Sequence, residues 1–479
     1  MRALAEDLLG LVPQGVSYAD VRVVLREHEC VHVDGAVVSP LYAETEGVAV
    51  RVLVEGQWGF AATSFTDRGE AALEQAVAQA RSAAALGGPR AVLAPQEPLR
   101  ARFETPVERD PLAVPLDEKV TLLAAASEAM GPGLRAAEAS YDCFRETKCF
   151  ASSEGTLVEQ TLTETGAGIM ATVSNEEDLQ RRSYPQSVPR SIKGQRGDFA
   201  TAGWEHVESL RLVEEAPRVG DEARALLSAP PCPAERATVI VSGTQMALFV
   251  HECFGHAAEL DRALGSEASL AGGSYMRPEL RGRLRVASPL VTITADGTLP
   301  RGMGSYGYDD EGVPSQRTVV VGEGTFRDFL TSRESAGTIG ERSSGAARAD
   351  GWARIPLVRM SNVSIEPGET PFEEIVASTK EGYLFDMNRS VSIDDTRRNF
   401  RFGSEVGWEI RDGKLGRMLK NCTFSGQTLE VWPTCDAVAD RASFRVYGLP
   451  SCNKGEPLQV AHIGHGTVPA RFRNVQVGL

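Results

Sequence analysis

Cysteine, histidine and aromatic residues are scarce in this sequence. Its 479 residues include 8 Cys and 7 His, and only 6% are aromatic. So few cysteines exclude the disulfide framework that stabilises small secreted domains. Each cysteine is therefore expected to be a free thiol or a metal ligand in a reducing compartment. Because histidine is rare, a close pair of histidines is informative.

Long apolar runs are also lacking. The longest, Thr238–Val250, is interrupted by Ser242 and Gln245, which leaves it too short to cross a bilayer. Near the N-terminus, Glu6 and Asp7 stand where a signal peptide requires its apolar core. These features predict a cytoplasmic protein without a membrane segment.

Positive charge is in deficit. The chain has 50 Lys+Arg against 65 Asp+Glu, which gives a formal net charge of −15. An acidic surface repels phosphate groups, so nucleic acid and anionic membranes are excluded as favoured partners, and the charge favours solubility. The contents of 42% hydrophobic and 24% charged residues are ordinary for a folded protein and exclude disordered, collagen-like and coiled-coil classes.

Length and proline placement predict how the chain divides. At roughly 150 residues per domain, two or three domains are expected. Six prolines between residues 87 and 115 exclude a helix interior or a central strand there, and the cluster Pro230–Pro233, in a boundary region that begins at Pro217, marks the main boundary. We predict an N-terminal α/β subdomain at 1–86, a Pro-rich linker at 87–115, a middle α+β subdomain at 116–232 and a β-rich C-terminal domain at 233–479.

Hydrophobic periodicity predicts an α+β fold, with an α/β N-terminal half followed by a β-rich C-terminal half. The predicted helices are Leu4–Leu11, Asp67–Leu86, Leu116–Met130, one starting near Gln245 with an N-cap at Ser242–Thr244, and Pro371–Thr379. The predicted strands are Ala19–Leu25, Val48–Val54, Trp58–Thr63, a meander over Ser140–Ser174, and Ala237–Val241. After Val286 the pattern is mostly strands with Gly-based turns, interrupted by the one helix at Pro371–Thr379.

The segment His251–His256 carries the clearest chemistry, because two histidines flank the carboxylate of Glu252. Zincins separate their two histidines by four residues, which places both on one helix face. Here the interval is five, and in an ideal helix it turns the second ring about 140° past a full turn. A π-bulge or a break at Gly255 would bring the rings back together, so we predict a distorted helix. The alternative is a pair of buried histidines with a purely structural role.

Two imidazoles leave a zinc ion short of one protein ligand and one open position. The residue pattern leaves the third ligand open. The candidates are His462, His465, Cys435, Cys452, Glu259 and Asp261. Cys253 lies inside the motif but on the wrong side of the helix, and its expected role is that of a small buried hydrophobe. A thiol enzyme based on Cys253 or Cys435 lacks a paired histidine at a recognisable spacing.

Three ordered blocks make the chain resemble the TldD/PmbA family of metallopeptidases, on its motif-bearing TldD side. The first block is the HExxxH segment His251–His256, followed by Glu259 and Asp261. The second is the acidic segment Asp309–Pro314, and the third is Ser451–Gly455. Val468–Pro469 and Arg473–Gly478 fit the family's terminal strand, and the N-terminal half matches more loosely at Gly47–Val54 and Gly59–Ala61.

The resemblance implies that His251, His256 and Cys452 hold Zn²⁺ and that Glu252 is the general base. The domain at 233–479 would then be a zinc peptidase domain. The chain departs from the family pattern at Asn453, where Gly is usual, and at 257–258, where two alanines replace the commoner Gly-Leu. No departure changes an implied ligand or the base.

The resemblance also implies substrates and partners. The substrates would be unfolded peptides, bound as an added strand in a closed cavity. The chain would form a homodimer, or a heterodimer with a homologous TldE/PmbA-type subunit that lacks the motif. The functional prediction is a zinc-dependent metallopeptidase acting on unstructured peptides. The alternative is a non-catalytic binding or regulatory subunit with a structural metal site.

Four further features have open roles. Tyr306 and Tyr308 are candidate donors to the oxyanion. Arg397-Arg398 could hold a peptide carboxylate or form a solvated pair. The acidic turn Asp309–Gly312 is expected to be a solvated structural turn, because oxygen ligands at the spacing of a Ca²⁺ loop are lacking.

Overall fold

The structure, a computed structural model, describes residues 1–187, 197–269 and 272–478. The helices in these ranges are α1 (Arg2–Gly10), α2 (Gly69–Leu86), α3 (Leu116–Ala129), α4 (Trp204–Ser209), α5 (Leu212–Ser228), α6 (Gly243–Val250), α7 (Leu260–Ala263), α8 (Arg333–Thr338), α9 (Phe372–Ala377) and α10 (Thr428–Val431). None of these helices has an apolar stretch long enough to span a bilayer.

The strands of the N-terminal half are β1 (Tyr18–Asp34), β2 (Val37–Val54), β3 (Gln57–Thr63), β4 (Arg100–Glu104), β5 (Ala136–Ser152), β6 (Leu157–Ser174), β7 (Leu179–Tyr184) and β8 (Asp198–Ala200). They form one sheet in the order β3-β2-β1-β5-β6-β4, and β7 and β8 also pair with β6. β1 pairs with β5 along its length, so the sheet joins the chain segments before and after the Pro-rich region. β4 lies within that region and takes an edge position beside β6, which suits the prolines around it.

Helices cover this sheet in two places. α1 and α2 pack on the β1–β3 end, where Ala72, Ala76 and Ala80 of α2 are buried at a spacing of four residues. α3, α4 and α5 cover the other end. Pro217 lies inside α5, which ends at Ser228, just before the proline cluster Pro230–Pro233.

The strands of the C-terminal half are β9 (Glu235–Val241), β10 (Ile293–Asp296), β11 (Arg317–Gly322), β12 (Thr325–Phe326), β13 (Ala347–Arg348), β14 (Leu357–Val358), β15 (Val363–Ile365), β16 (Glu381–Ile393), β17 (Asn399–Arg411), β18 (Lys414–Leu419), β19 (Cys422–Gln427), β20 (Cys435–Val438), β21 (Arg445–Lys454), β22 (Gln459–Thr467) and β23 (Ala470–Val477). The largest sheet has the order β16-β9-β23-β19-β17-β18, with β20 beside β23. A second sheet has the order β12-β11-β10-β15, and β13-β14 and β21-β22 are separate pairs.

The predicted α+β class is confirmed, and so are most element positions. The expectation of a single helix after Val286 is wrong, because α8 and α10 also form. These helices have 6 and 4 residues, which is too short for hydrophobic periodicity to reveal them.

Candidate metal centre

The His251–His256 segment follows a helix that is buried from Gln245 to Val250. β9 leads into Ser242, whose Oγ accepts a hydrogen bond from the backbone N–H of Gln245 and caps α6. Phe249 of α6 is buried in a cluster of aromatic rings. This packing gives the motif a rigid support in the core of the C-terminal half.

The predicted helix distortion is confirmed. Residues His251–Gly255 form a single π-helical turn, and the two imidazole ring centres lie 4.8 Å apart. Gly255 leaves room for Met360, because a Cβ at this position would lie 2.1 Å from Sδ of that side chain. The π-turn therefore compensates for the five-residue interval and places both rings on one side.

Three donor atoms converge beside this turn. Sγ of Cys452 lies 3.5 Å from Nε2 of His251 and 3.5 Å from Nε2 of His256. The three side chains offer ligand atoms that all lie within 4.8 Å of one another. The residues are only 3–4% exposed, so the group is almost closed to bulk solvent.

The orientation of His251 is set by His465. Nδ1 of His465 lies 2.8 Å from the carbonyl oxygen of Val363, and its Nε2 lies 3.0 Å from Nδ1 of His251. A carbonyl can only accept, so Nδ1 of His465 carries the hydrogen and its Nε2 accepts from His251. Burial lowers the pKa of His465 to about 4, which keeps it neutral for this role. The lone pair of His251 therefore lies on Nε2, facing Cys452.

His256 is oriented by a buried carboxylate. Its Nδ1 donates to Oε2 of Glu259 at 2.9 Å, which again leaves the lone pair on Nε2. Glu259 is completely buried, and Nζ of Lys454 lies 3.3 Å from the same oxygen. Lys454 also donates to Asp261 at 2.7 Å. Glu259 thus contacts the His256 ring directly, and Asp261 contacts Lys454, the cation beside Glu259.

Cys452 lies on β21 just after an irregularity in its pairing with β22, and it faces Ala461 across the pair. Nη2 of the buried Arg359 donates to its carbonyl oxygen at 2.6 Å. Burial raises the pKa of the Cys452 thiol, and the positive charge of Arg359 opposes that shift. Asn453, which stands where the family pattern has Gly, is exposed and pairs with Val460 of β22.

The donor set fits a transition metal ion. Burial lowers the pKa values of His251 and His256 well below the usual range, so both imidazoles are neutral, as metal ligands must be. A bound cation would favour the thiolate form of Cys452. Neutral imidazoles and one thiolate are ligands that zinc accepts, with a further position open.

Glu252 points its carboxylate at an arginine. Oε2 of Glu252 accepts from Nη1 of Arg397 at 2.5 Å, and the two side chains are 14% and 12% exposed. Burial raises the pKa of Glu252, and the positive charge of Arg397 opposes that shift. Arg397 has a left-handed backbone with φ of 62°, which is a strained conformation for this residue type. Arg398 is exposed.

The structure places the other candidate residues elsewhere. Nδ1 of His462 contacts Glu164, and Sγ of Cys435 lies against the carbonyl oxygen of Ala437. Tyr306 donates its hydroxyl to the carbonyl oxygen of Gly345. Cys253 is buried and accepts from Thr428, as a core residue does, and Tyr308 lines a separate cavity.

The acidic turn at Asp309–Gly312 contradicts the expectation of a solvated turn, because its three carboxylates are only 2–4% exposed. Lys148 lies 2.9 Å from Asp310, and Arg51 lies 3.3 Å from Glu311. These cations come from β5 and β2, so the sequence around the turn could not reveal them. Arg359 was also missed, because nothing near it in the sequence points to Cys452.

Comparison with known proteins identifies the family of the chain. The chain matches the PmbA/TldA metallopeptidase domain 1 over residues 19–84, the central domain over 109–229 and the C-terminal domain over 234–478. A metalloprotease of Methanothermobacter thermautotrophicus is 31% identical over 97% of this chain and 96% of its own length. A zinc metalloprotease TldD homolog of Saccharolobus solfataricus is 26% identical over 47% of this chain and 48% of its own length.

The fold has a close counterpart among solved structures. TldE from Thermococcus kodakarensis superposes with a TM-score of 0.75 at 18% identity, over 99% of both chains. At this identity the likeness concerns the fold alone. The family matches and the full-length relative together show that the chain belongs to the PmbA/TldD family of metallopeptidases. A peptidase activity follows from that membership.

Proposed function

We propose that this chain is a zinc-dependent peptidase that hydrolyses unstructured peptides. His251, His256 and Cys452 would hold the Zn²⁺, and Glu252 would act as general base. The convergence of the three donor atoms within 4.8 Å carries the proposal. Zinc is favoured because both imidazoles present a lone pair on Nε2 and the third donor is a cysteine.

A zinc ion bound here supplies Lewis acidity at a site with an open position. The residues of the chain supply the proton transfers. Arg397 holds Oε2 of Glu252, and we assign proton uptake from the attacking water to Oε1. Glu252 then returns this proton to the leaving amine. Because Arg397 contacts the base directly, its role is to position Glu252.

The burial of the three donor residues favours an extended peptide as the substrate. The donor residues are only 3–4% exposed, which a folded protein surface cannot reach. An extended peptide is narrow and can add backbone hydrogen bonds to a strand, which gives affinity with little sequence preference. We also propose assembly as a homodimer or with a TldE/PmbA-type subunit. A cytoplasmic location is proposed as well, which eight cysteines without a disulfide support.

The alternative of a binding subunit with a structural metal is less well supported. A structural zinc site is normally closed by four protein ligands. Within the described ranges, the donor group contains three side chains, and His465 contacts His251 instead of completing it.

The test is metal analysis with a peptide digest on wild type, Glu252→Gln and a matched control. Glu222→Gln serves as the control, because Glu222 is a 19% exposed carboxylate on α5 that contacts Arg182 at 2.6 Å and lies outside the donor group. We expect one zinc at this site in all three, with cleavage lost by about 10²–10⁴-fold only in Glu252→Gln. Unchanged cleavage in Glu252→Gln would reject the base, and absence of zinc from wild type would reject the metal site.

A further inference from the structure

A second group of metal-type donors lies in the N-terminal sheet. His28 and Cys30 are two residues apart on β1, so their side chains point to the same face. Asp142 on β5 stands directly opposite Cys30 in the antiparallel pair. One ligand atom from each of the three side chains lies within 4.8 Å of the others. The group around Cys452 satisfies the same distance limit.

Packing holds the imidazole of His28 toward the carboxylate. Its ring stacks on Phe144 with centres 4.4 Å apart and planes 16° apart. Nε2 of His28 lies 2.8 Å from Oδ1 of Asp142. The side chain of Asp142 is 4% exposed and that of His28 is 30% exposed. The carboxylate is therefore desolvated, while an ion can enter from the side of His28.

We propose that His28, Cys30 and Asp142 form a second metal site, which binds a divalent transition ion such as Zn²⁺. Hard cations such as Ca²⁺ and Mg²⁺ prefer sites made of oxygen alone, whereas imidazole, thiolate and carboxylate together suit zinc and its neighbours. Three protein ligands leave one position open to water.

The His28–Asp142 pair needs only a small movement to bind an ion. Two ligands at about 2.1 Å from a tetrahedral zinc lie roughly 3.4 Å apart, so Nε2 of His28 and Oδ1 of Asp142, now 2.8 Å apart, must separate by about 0.6 Å. Binding releases the proton of the Cys30 thiol, and the imidazole of His28 binds through Nε2 in its neutral form, with its hydrogen on Nδ1. The apparent affinity of the site therefore falls as the pH is lowered.

This site is independent of the proposed active site. Its ligands come from β1 and β5, whereas the other group comes from the π-turn after α6 and from β21. Loss of either metal can therefore be measured without loss of the other. The first test counts zinc bound to the full chain after zinc loading and dialysis.

The chain offers a matched control for this count. His32 lies on the same strand and face as His28 and is 29% exposed, but it lies outside the donor group. We expect two zinc ions in wild type and in His32→Gln, and one in His28→Gln, in Cys30→Ser and in His251→Ala. One zinc in wild type, or two in both His28→Gln and Cys30→Ser, would overturn the second site.

A second measurement identifies the ligand directly. In the Cys452→Ser chain the thiolate of the first group is removed, so a thiolate-to-cobalt charge-transfer band after Co²⁺ loading reports on another cysteine. We expect this band in Cys452→Ser, its loss when Cys30→Ser is added, and its retention when His32→Gln is added. Absence of the band in Cys452→Ser, or its survival in the Cys30→Ser double variant, would overturn ligation by Cys30. Circular dichroism of each variant verifies the fold.

Discussion

Nδ1 of His251 donates to Nε2 of His465, and this bond turns the other nitrogen of His251 toward Cys452. His465 was one of the candidate third ligands in the sequence, and it contacts the proposed ligand His251 instead. Such a partner sets both the tautomer and the ring orientation of the metal-binding histidine. The first prediction follows from this role.

His465→Phe should weaken zinc binding at the His251 group by about 10–100-fold, because the His251 ring loses its acceptor. His465→Gln should recover part of the affinity, since its amide oxygen can accept the same hydrogen bond. The measurement is competition for zinc with a chelator of known affinity. His462→Gln is the control, because His462 contacts Glu164 on the neighbouring β6. Equal affinity of His465→Phe and wild type would contradict the orienting role.

Arg397→Met should lower kcat by about 10²-fold while leaving the zinc content unchanged, because the Glu252 carboxylate loses the group that positions it. Arg397→Lys should retain an intermediate rate, since it keeps the charge without the planar guanidinium. Steady-state kinetics with a fluorogenic peptide library provide the measurement. Arg398→Met is the control, because Arg398 is adjacent and exposed, and this variant should cleave at the wild-type rate. A loss of equal size in both methionine variants would show a general effect of charge.

Lys148→Met should destabilise the chain by about 3–5 kcal/mol, because it leaves the buried carboxylate of Asp310 without its nearest cation. The double variant Lys148→Met with Asp310→Asn should cost less than the sum of the single changes. Urea unfolding of the four chains in this cycle measures the coupling. Additive effects would mean that the two buried charges stabilise the fold independently.

The sequence predicted the parts of the site that depend on local geometry. The five-residue interval between His251 and His256 required a distorted helix, and a π-turn is present. The sequence could not predict contacts between residues that are distant along the chain, such as Lys148 with Asp310 or Arg359 with Cys452. Those contacts depend on strand register between distant segments, which short periodic patterns do not encode.

The sequence also underestimates the length of β1. The predicted strand Ala19–Leu25 covers only the inner part of β1, which extends to Asp34. The outer part, from Arg26 to Val33, is mostly half-buried and carries charged and histidine side chains, so its hydrophobic pattern is weak. The donor pair His28 and Cys30 lies in this outer part. Its pairing with β5 brings Asp142 next to them.

Asp198 should make stability fall as the pH rises. Burial raises the pKa of its carboxyl to about 7, against bonds from the backbone N–H groups of Phe199 and Gly448. A raised acid pKa means that the folded chain binds the proton more tightly than the unfolded chain. The contribution of Asp198 to the free energy of unfolding is fully present below the pKa that this carboxyl has in the unfolded chain. It is lost as the pH rises to about 7, by about 1.4 kcal/mol per pH unit.

Asp198→Asn keeps an oxygen acceptor and removes the titration, so urea midpoints should fall less between about pH 5 and about pH 7 than in wild type. The nearby His206, whose pKa burial lowers to about 4, is present in both chains and has an effect of the opposite sign. Asp178→Asn is the control. The bond from Lys420 lowers the pKa of Asp178, so its stability contribution is lost only as the pH falls below the usual carboxyl range. Parallel pH profiles for wild type and Asp198→Asn would show that Asp198 is ionised in the folded chain across this range.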